Sequence, residues 1–328
     1  MSRIFSMGPS PHIRTSETVE RVMYDVIIAL IPAFCVAIYV FGFRALILTA
    51  ISVVTCMFTE YICAIIMKRK ATLCDGSAII TGILLAFVVP VSMPIPALII
   101  GAIAAIALGK MVFGGLGCNI FNPALIGRAF IQASWPAFIT SFFYEGFRYN
   151  NGISGLSVDT SVGATMLEIM KTGKPVKEAF IASGNPVLQA FLGKMGGCIG
   201  EISALAILVG GIYLIYRKQI DWKVPAVMIG TVFGMTALMG ANPVMHIFSG
   251  GLFLGAFFMA TDMVTSPYTT KGKIVFAFLI GLLISIIRIK GGYPEGTAYA
   301  ILIVNGFVPL INRYTQPKKF GEVKSNEK

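Results

Sequence analysis

The chain has 328 residues, 56% hydrophobic and only 12% charged, so it cannot cover itself with a solvated surface and belongs in a bilayer. This composition excludes a soluble enzyme or soluble binding domain. The 26 Lys and Arg against 15 Asp and Glu, a net +11, fall in short clusters between apolar runs rather than on one patch, which is a topology signal and not a nucleic-acid surface.

Met1 to Arg21 is polar, carries charges of both signs and lacks the apolar core and small-residue site of a cleavable signal. Apolar runs then begin near Val26, Ala45, Ala78, Ala97 and Ala124. The third, Ser77 to Pro90, is too short to span unaided and ends in the Pro-rich Pro90-Val-Ser-Met-Pro-Ile-Pro96. Between the fourth and fifth, Gly114-Gly-Leu-Gly117 leads to Asn119-Ile-Phe-Asn122-Pro123, ahead of a run containing Arg128. Two amides and free backbone donors at a helix start, beside an aromatic ring and close-approach glycines, suit the polar edge of a planar heterocycle. Helix capping by Asn122 is the alternative. No strand precedes these glycines, so they form no Rossmann turn.

The long polar interruption, about Tyr144 to Gly197, carries the heptad Asp159-Thr-Ser-Val-Gly-Ala-Thr165. A threonine hydroxyl preceded by Gly163 and Ala164 leaves room for a large group to be attached covalently. A Ser/Thr-rich turn is the plain alternative. Further apolar runs begin near Ile199, Val224, Ile247, Ile274 and Ala298, for about ten crossings in all. The run from Ile247 is cut by Gly250-Gly251 and bounded by Asp262. Interrupted segments in both halves are the pattern of broken helices lining a midplane site.

Arg3, Arg14, Arg21, Lys68-Arg69-Lys70, Arg217-Lys218 with Lys223, Lys271 with Lys273, and the tail with Arg313, Lys318, Lys319, Lys324 and Lys328 fall on one side. The opposite short loops carry only Arg44, Arg288 and Lys290, so both termini are expected in the cytoplasm and Thr165 outside it. Ser77-Ala78 with Pro96-Ala-Leu-Ile-Ile-Gly101 echoes Ser203-Ala204 with Pro225-Ala-Val-Met-Ile-Gly230, and Asn122-Pro123 echoes Asn242-Pro243. Two oppositely oriented five-crossing units would give this echo, as would chance between Gly/Ala-rich segments. Expected ionisable groups at membrane depth are Glu60, Lys110, Arg128, Glu201 and Asp262, with Asp25 and Asp75 at helix starts; Glu60 is a structural partner for Lys110 or Arg128. Cys35, Cys56, Cys63, Cys74, Cys118 and Cys198 form no C-x-x-C pair and read as reduced thiols. His12 and His246 are the only histidines, both near expected membrane surfaces, and give no support for bis-histidine haem. No metal ligand set and no catalytic triad is expected.

Taken together, the Thr165 heptad, Asp75-Gly-Ser-Ala-Ile-Ile-Thr-Gly82, Gly114 to Phe130, Gly200-Glu-Ile-Ser-Ala-Leu205 and Thr261-Asp-Met-Val-Thr-Ser-Pro267 resemble the D subunit of the Rnf complex. The sister family is the B subunit of the sodium-translocating NADH:quinone reductase. The resemblance runs from Pro11-His-Ile-Arg14 to Arg313. It implies a membrane electron-transfer subunit of an ion-pumping ferredoxin:NAD oxidoreductase that moves Na+ or H+. It also implies FMN joined by a phosphoester to Thr165, with Asp159, Gly163 and Ala164 as the motif read by a flavin transferase; Val162 departs from that motif. Asn119 and Asn122 are implied contacts of a second, non-covalent flavin, riboflavin. Partners implied are the other Rnf subunits and membrane lipid.

The implied fold is all-α, about ten transmembrane helices in two inverted five-helix repeats with broken helices, as in urea transporters. Residues 1–143 would form the first repeat, 144–197 the external loop, 198–313 the second repeat and 314–328 a cytoplasmic tail. Two other readings share this architecture: a solute channel or secondary transporter without a redox group, and a purely structural scaffold of such a complex.

Overall fold

The computed structural model describes residues 18–69, 75–139, 142–143, 162–163, 166–171, 187, 191, 197–292 and 295–317. Asp159, Ala164 and Thr165 lie outside the described residues, as do Lys70, Cys74, the tail lysines and the segment with Arg3, His12 and Arg14.

The described chain is almost wholly helical. Helix α1 (Val19–Phe41) is capped by Thr18, whose hydroxyl accepts from the Arg21 N–H, and buries Ala29, Leu30, Ala33 and Ala37 on one stripe. Gly42 at φ 67 turns the chain directly into α2 (Phe43–Ile66). With α12 (Thr270–Lys290), these are the described helices long and apolar enough to cross a membrane.

Shorter pieces lie between them. Helix α3 (Ser77–Phe87) stops before the proline segment, and α4 (Ile95–Ile106) continues as a π-helical turn, Ala107–Met111. Helix α5 (Pro123–Ser134) is followed by α6 (Pro136–Ile139), the two-residue antiparallel strands β1 (Phe142–Phe143) and β2 (Val162–Gly163), and α7 (Met166–Lys171). The second half holds α8 (Ala204–Tyr216), α9 (Lys223–Leu238) and α10 (Pro243–Phe248). Then come α11 (Leu252–Leu254), prolonged by a second π turn at Gly255–Met259, α12, and α13 (Thr297–Thr315).

The Asn-Pro step starts a helix in each half. The Asn122 carboxamide oxygen accepts from the Ala124 N–H and that of Asn242 from the Met245 N–H, with Pro123 and Pro243 at the first helical position. The apolar stretch from Ile199 enters its helix only at Ala204. Before that, the Ile199 and Gly200 N–H groups donate to the Val89 and Phe87 carbonyls, serving acceptors left open where α3 stops.

Bare surfaces let helices approach closely. A methyl on Gly210 of α8 would collide with the Ala29 carbonyl of α1, so these two helices meet backbone to backbone.

Side-chain contacts gather the basic segments at one end of the bundle. Arg69 donates to the Gly114 carbonyl, Arg217 pairs with Asp25 at 3.0 Å, Lys273 lies 3.7 Å from Asp221, and Thr269 bonds Thr315. The opposite end carries the proline segment, where Arg44 donates to the Val91 and Met93 carbonyls, the loop at 197–203, and residues 291–292 and 295–296.

Candidate functional site

A cavity opens at the basic end. Both π turns face it, the first through Lys110 and the second through Phe257 and Phe258. The wider i to i+5 turn reshapes one rung of a helix and re-aims its side chains, a device common at binding sites. Polar groups from Ser77, Thr81, Asn119, Asn122, Gln219, Thr261 and Asp262 interrupt a wall built otherwise from Met23, Leu84, Leu116, Leu214 and the two phenylalanines. An apolar slot with a few fixed polar groups is suited to a planar amphipathic ligand.

Asn119 and Asn122 are both buried on this wall. Asn122 combines two roles: its oxygen caps α5 and its amide donates to the Met259 carbonyl at 3.5 Å, tying α5 to the second π turn. Asn119 donates to the Phe121 carbonyl at 3.2 Å, while its buried Oδ1 has no partner among the described residues. Nothing lies within 4 Å of a methyl placed on Gly115 or Gly117; these positions need glycine because φ is +97 and +90.

The ionisable lining is balanced. Lys110 donates to both oxygens of Glu60 at 2.8 Å and to the Ser77 hydroxyl at 2.6 Å, and Ser77 in turn donates to Asp75. Asp262 accepts from the Val264 N–H and the Thr265 hydroxyl. Asp25 accepts from Tyr213, Arg217 and Gln219, fixing Gln219 at the cavity.

A second polar cluster occupies the opposite end. Arg128 does not pair with Glu60. Its guanidinium lies 3.3 Å from Glu201 and 2.5 Å from Glu295, and Glu295 also accepts from the Gly251 N–H at 2.7 Å. Arg288, expected from the sequence on a surface loop, is instead buried in the last turn of α12 and donates to the His246 and Ser249 carbonyls. Ligand atoms of Cys198, Glu201 and Glu295 lie within 4.8 Å of one another, a spacing that would suit a metal, but Arg128 already pairs with both carboxylates. In these connecting segments, burial and then the Glu295 charge push the Glu201 carboxyl up to about 8. At Glu295 burial is outweighed by Arg128, the Gly251 N–H and Arg288, which hold its carboxyl below the ordinary range.

Sequence reasoning missed Glu295, Gln219 and Cys198 as site residues. An acid inside the Gly-rich sequence Gly291-Gly-Tyr-Pro-Glu-Gly296, between two apolar runs, was the available signal for Glu295.

The fold defines a polytopic helical membrane protein whose shorter helices surround a cavity with a mixed apolar and polar lining. The chain belongs to the NQR2, RnfD, RnfE family, whose model matches residues 6–321. It is 44% identical to the D subunit of the proton-translocating ferredoxin:NAD(+) oxidoreductase complex of Clostridium ljungdahlii, covering 97% of this chain and 96% of that protein. It is likewise 44% identical, over 97% and 96%, to the D subunit of the Na(+)-translocating complex of Acetobacterium woodii. The D subunit of an ion-translocating oxidoreductase complex from Halorhodospira halophila is 35% identical, over 96% and 95%.

Proposed function

We propose that this chain is the membrane electron-transfer subunit of an ion-translocating ferredoxin:NAD oxidoreductase, carrying FMN on Thr165 and riboflavin in the Asn119–Asn122 cavity. Relatives that share nearly its full length are named as the D subunit of such complexes, two of them for different ions, H+ and Na+. Its partners are then the other subunits of that complex, together with the flavin transferase that reads Asp159 to Thr165. The observation that carries the second flavin is the buried Asn119 oxygen on the cavity wall, without a partner among the described residues, an acceptor that a ring N–H would satisfy.

A flavin exchanges electrons singly or in pairs and so can relay between one- and two-electron carriers. The chain's own residues bind and orient. Asn119 offers the acceptor, Gln219 and Asp262 offer hydrogen bonds to a polyhydroxy side chain, and Phe257 and Phe258 shield the ring from water. Lys110 is neutralised by Glu60, so among the described residues the cavity lining presents no uncompensated cation for a phosphate, which favours the phosphate-free flavin.

The Asn-Pro helix start in each half supports the ten-crossing inverted repeat, with 1–143 and 198–313 as its halves. The gathering of basic segments at one end supports a cytoplasmic cavity, cytoplasmic termini and an external loop over 144–197.

Coexpression with a flavin transferase, followed by intact-mass analysis and extraction of the denatured chain, tests both sites. The parental chain should be heavier by FMN less one water and release riboflavin. Thr165→Val should lose only the mass increment, and Asn119→Leu only the riboflavin. A parental chain with neither flavin would leave a channel or scaffold as the reading.

A further inference from the structure

Between the cavity and the Arg128 cluster, α13 buries a stripe through Thr297, Ile301, Asn305 and Val308. Near Glu295, the Thr297 Cγ2 and Ile301 Cδ1 stand 2.5 Å and 3.3 Å from where a methyl on Gly255 would sit, so the stripe faces the start of the second π turn. The end of the Met228 side chain, from α9, reaches the same point at 3.8 Å. Towards the cavity, a methyl on Gly306 would lie 3.6 Å from the ring of Phe121, the residue whose carbonyl takes the Asn119 amide. Asn305 therefore sits along the seam that joins the two polar sites, about 12 Å past Thr297 at 1.5 Å per residue.

Asn305 is 0% exposed, and neither its Oδ1 nor its Nδ2 has a partner among the described residues. The Thr297 hydroxyl, also buried, likewise has none, the methyl of that side chain being turned to Gly255. Buried amides and hydroxyls are nearly always hydrogen-bonded, to protein or to ordered water. The main chain adds a further group: Pro309, inside α13, has no N–H to give the Asn305 carbonyl one turn back. A single residue in the bundle interior thus offers donors and two acceptor oxygens.

We propose that Asn305 and Thr297 hold internal water in the seam between α13 and the second π turn. Water fits because the groups left over are of both kinds. It donates to the Asn305 Oδ1 or to the freed carbonyl and accepts from Nδ2, whereas a cation would satisfy the oxygens and be repelled by the amide N–H groups. The buried stripe of α13 also carries no acid that would hold a cation. Water bound here is part of the structure, and it continues the polar contacts from the Asn119 side of the bundle towards the Glu295 side through an interior that is otherwise apolar.

Radiolytic footprinting of the full chain in nanodiscs tests this, because hydroxyl radicals form at bound water and oxidise the side chains beside it. Met228, 0% exposed yet in contact with the Thr297–Ile301 side of the seam, is the reporter, and the exposed Met263 is the control for bulk solvent. Met228 should be oxidised in the parental chain well above the rate of a dry core methionine, and equally with or without sodium in the buffer. Asn305→Leu combined with Thr297→Val, which makes the seam apolar at nearly constant volume, should bring Met228 to background and leave Met263 unchanged. Met228 at background in the parental chain, or labelled equally in the double variant, overturns the inference. Labelling that disappears when sodium is added also overturns it, since a cation would then be the occupant. If the double variant does not fold, the parental rate and its sodium dependence decide.

Discussion

Lys110 uses its ammonium donors entirely inside the protein, on Glu60 and Ser77, at 1% exposure. A buried ion pair offsets two desolvation costs against one attraction, and the balance turns sharply unfavourable when a single partner is removed. Glu60→Gln or Lys110→Met alone should therefore cost about 3 to 5 kcal/mol, because each leaves one charge buried and unpaired. The double variant Glu60→Gln, Lys110→Met should cost clearly less than the sum of the two. Reversible unfolding in mixed micelles measures this cycle, and additive costs would show that the pair is not coupled. Glu60 was legible as a partner for Lys110, since few opposite charges occur at that depth. The partners of Arg128 were not: Glu295 is 167 residues away along the chain, and only the tertiary packing of α5 against the turn before α13 brings them together.

Among the elements, the three long helices announce themselves through length and apolarity alone, and the Asn-Pro starts through capping chemistry. The π turns do not. Nothing in Ala107-Leu-Gly-Lys-Met111 favours an i to i+5 bond; the turn is set by neighbours, with Lys110 drawn towards Glu60 and Ser77. The loop at 197–203 was equally hidden, because its apolar residues read as helix although its N–H groups go to the end of α3. The two caps provide a matched control for the site. Asn122→Ala and Asn242→Ala each remove one side-chain cap and should each cost about 1 kcal/mol. Only Asn122 lines the cavity, so only its variant should lower the riboflavin extracted per chain. Equal loss from Asn242→Ala would mean that the flavin responds to helix stability and not to the Asn122 amide.

At the scale of the whole molecule, the two polar sites mark opposite ends of one bundle. Val264 lines the cavity just before α12 begins at Thr270, and Arg288 joins the second cluster in the last turn of that helix, about 27 Å further along at 1.5 Å per residue. That separation is close to the hydrocarbon thickness of a bilayer, so the cavity and the Arg288 cluster lie about one membrane thickness apart. Lys271 and Lys290 are exposed near the two ends of α12 and report which end is which. In a chain whose exposed Cys35 and Cys118 are replaced by serine, Lys290→Cys should react with an impermeant maleimide added to intact cells, while Lys271→Cys should react only after the membrane is opened. Both variants sit on one continuous helix, so the comparison depends on no loop. If Lys271→Cys is instead labelled from outside and Lys290→Cys protected, the cavity faces outward.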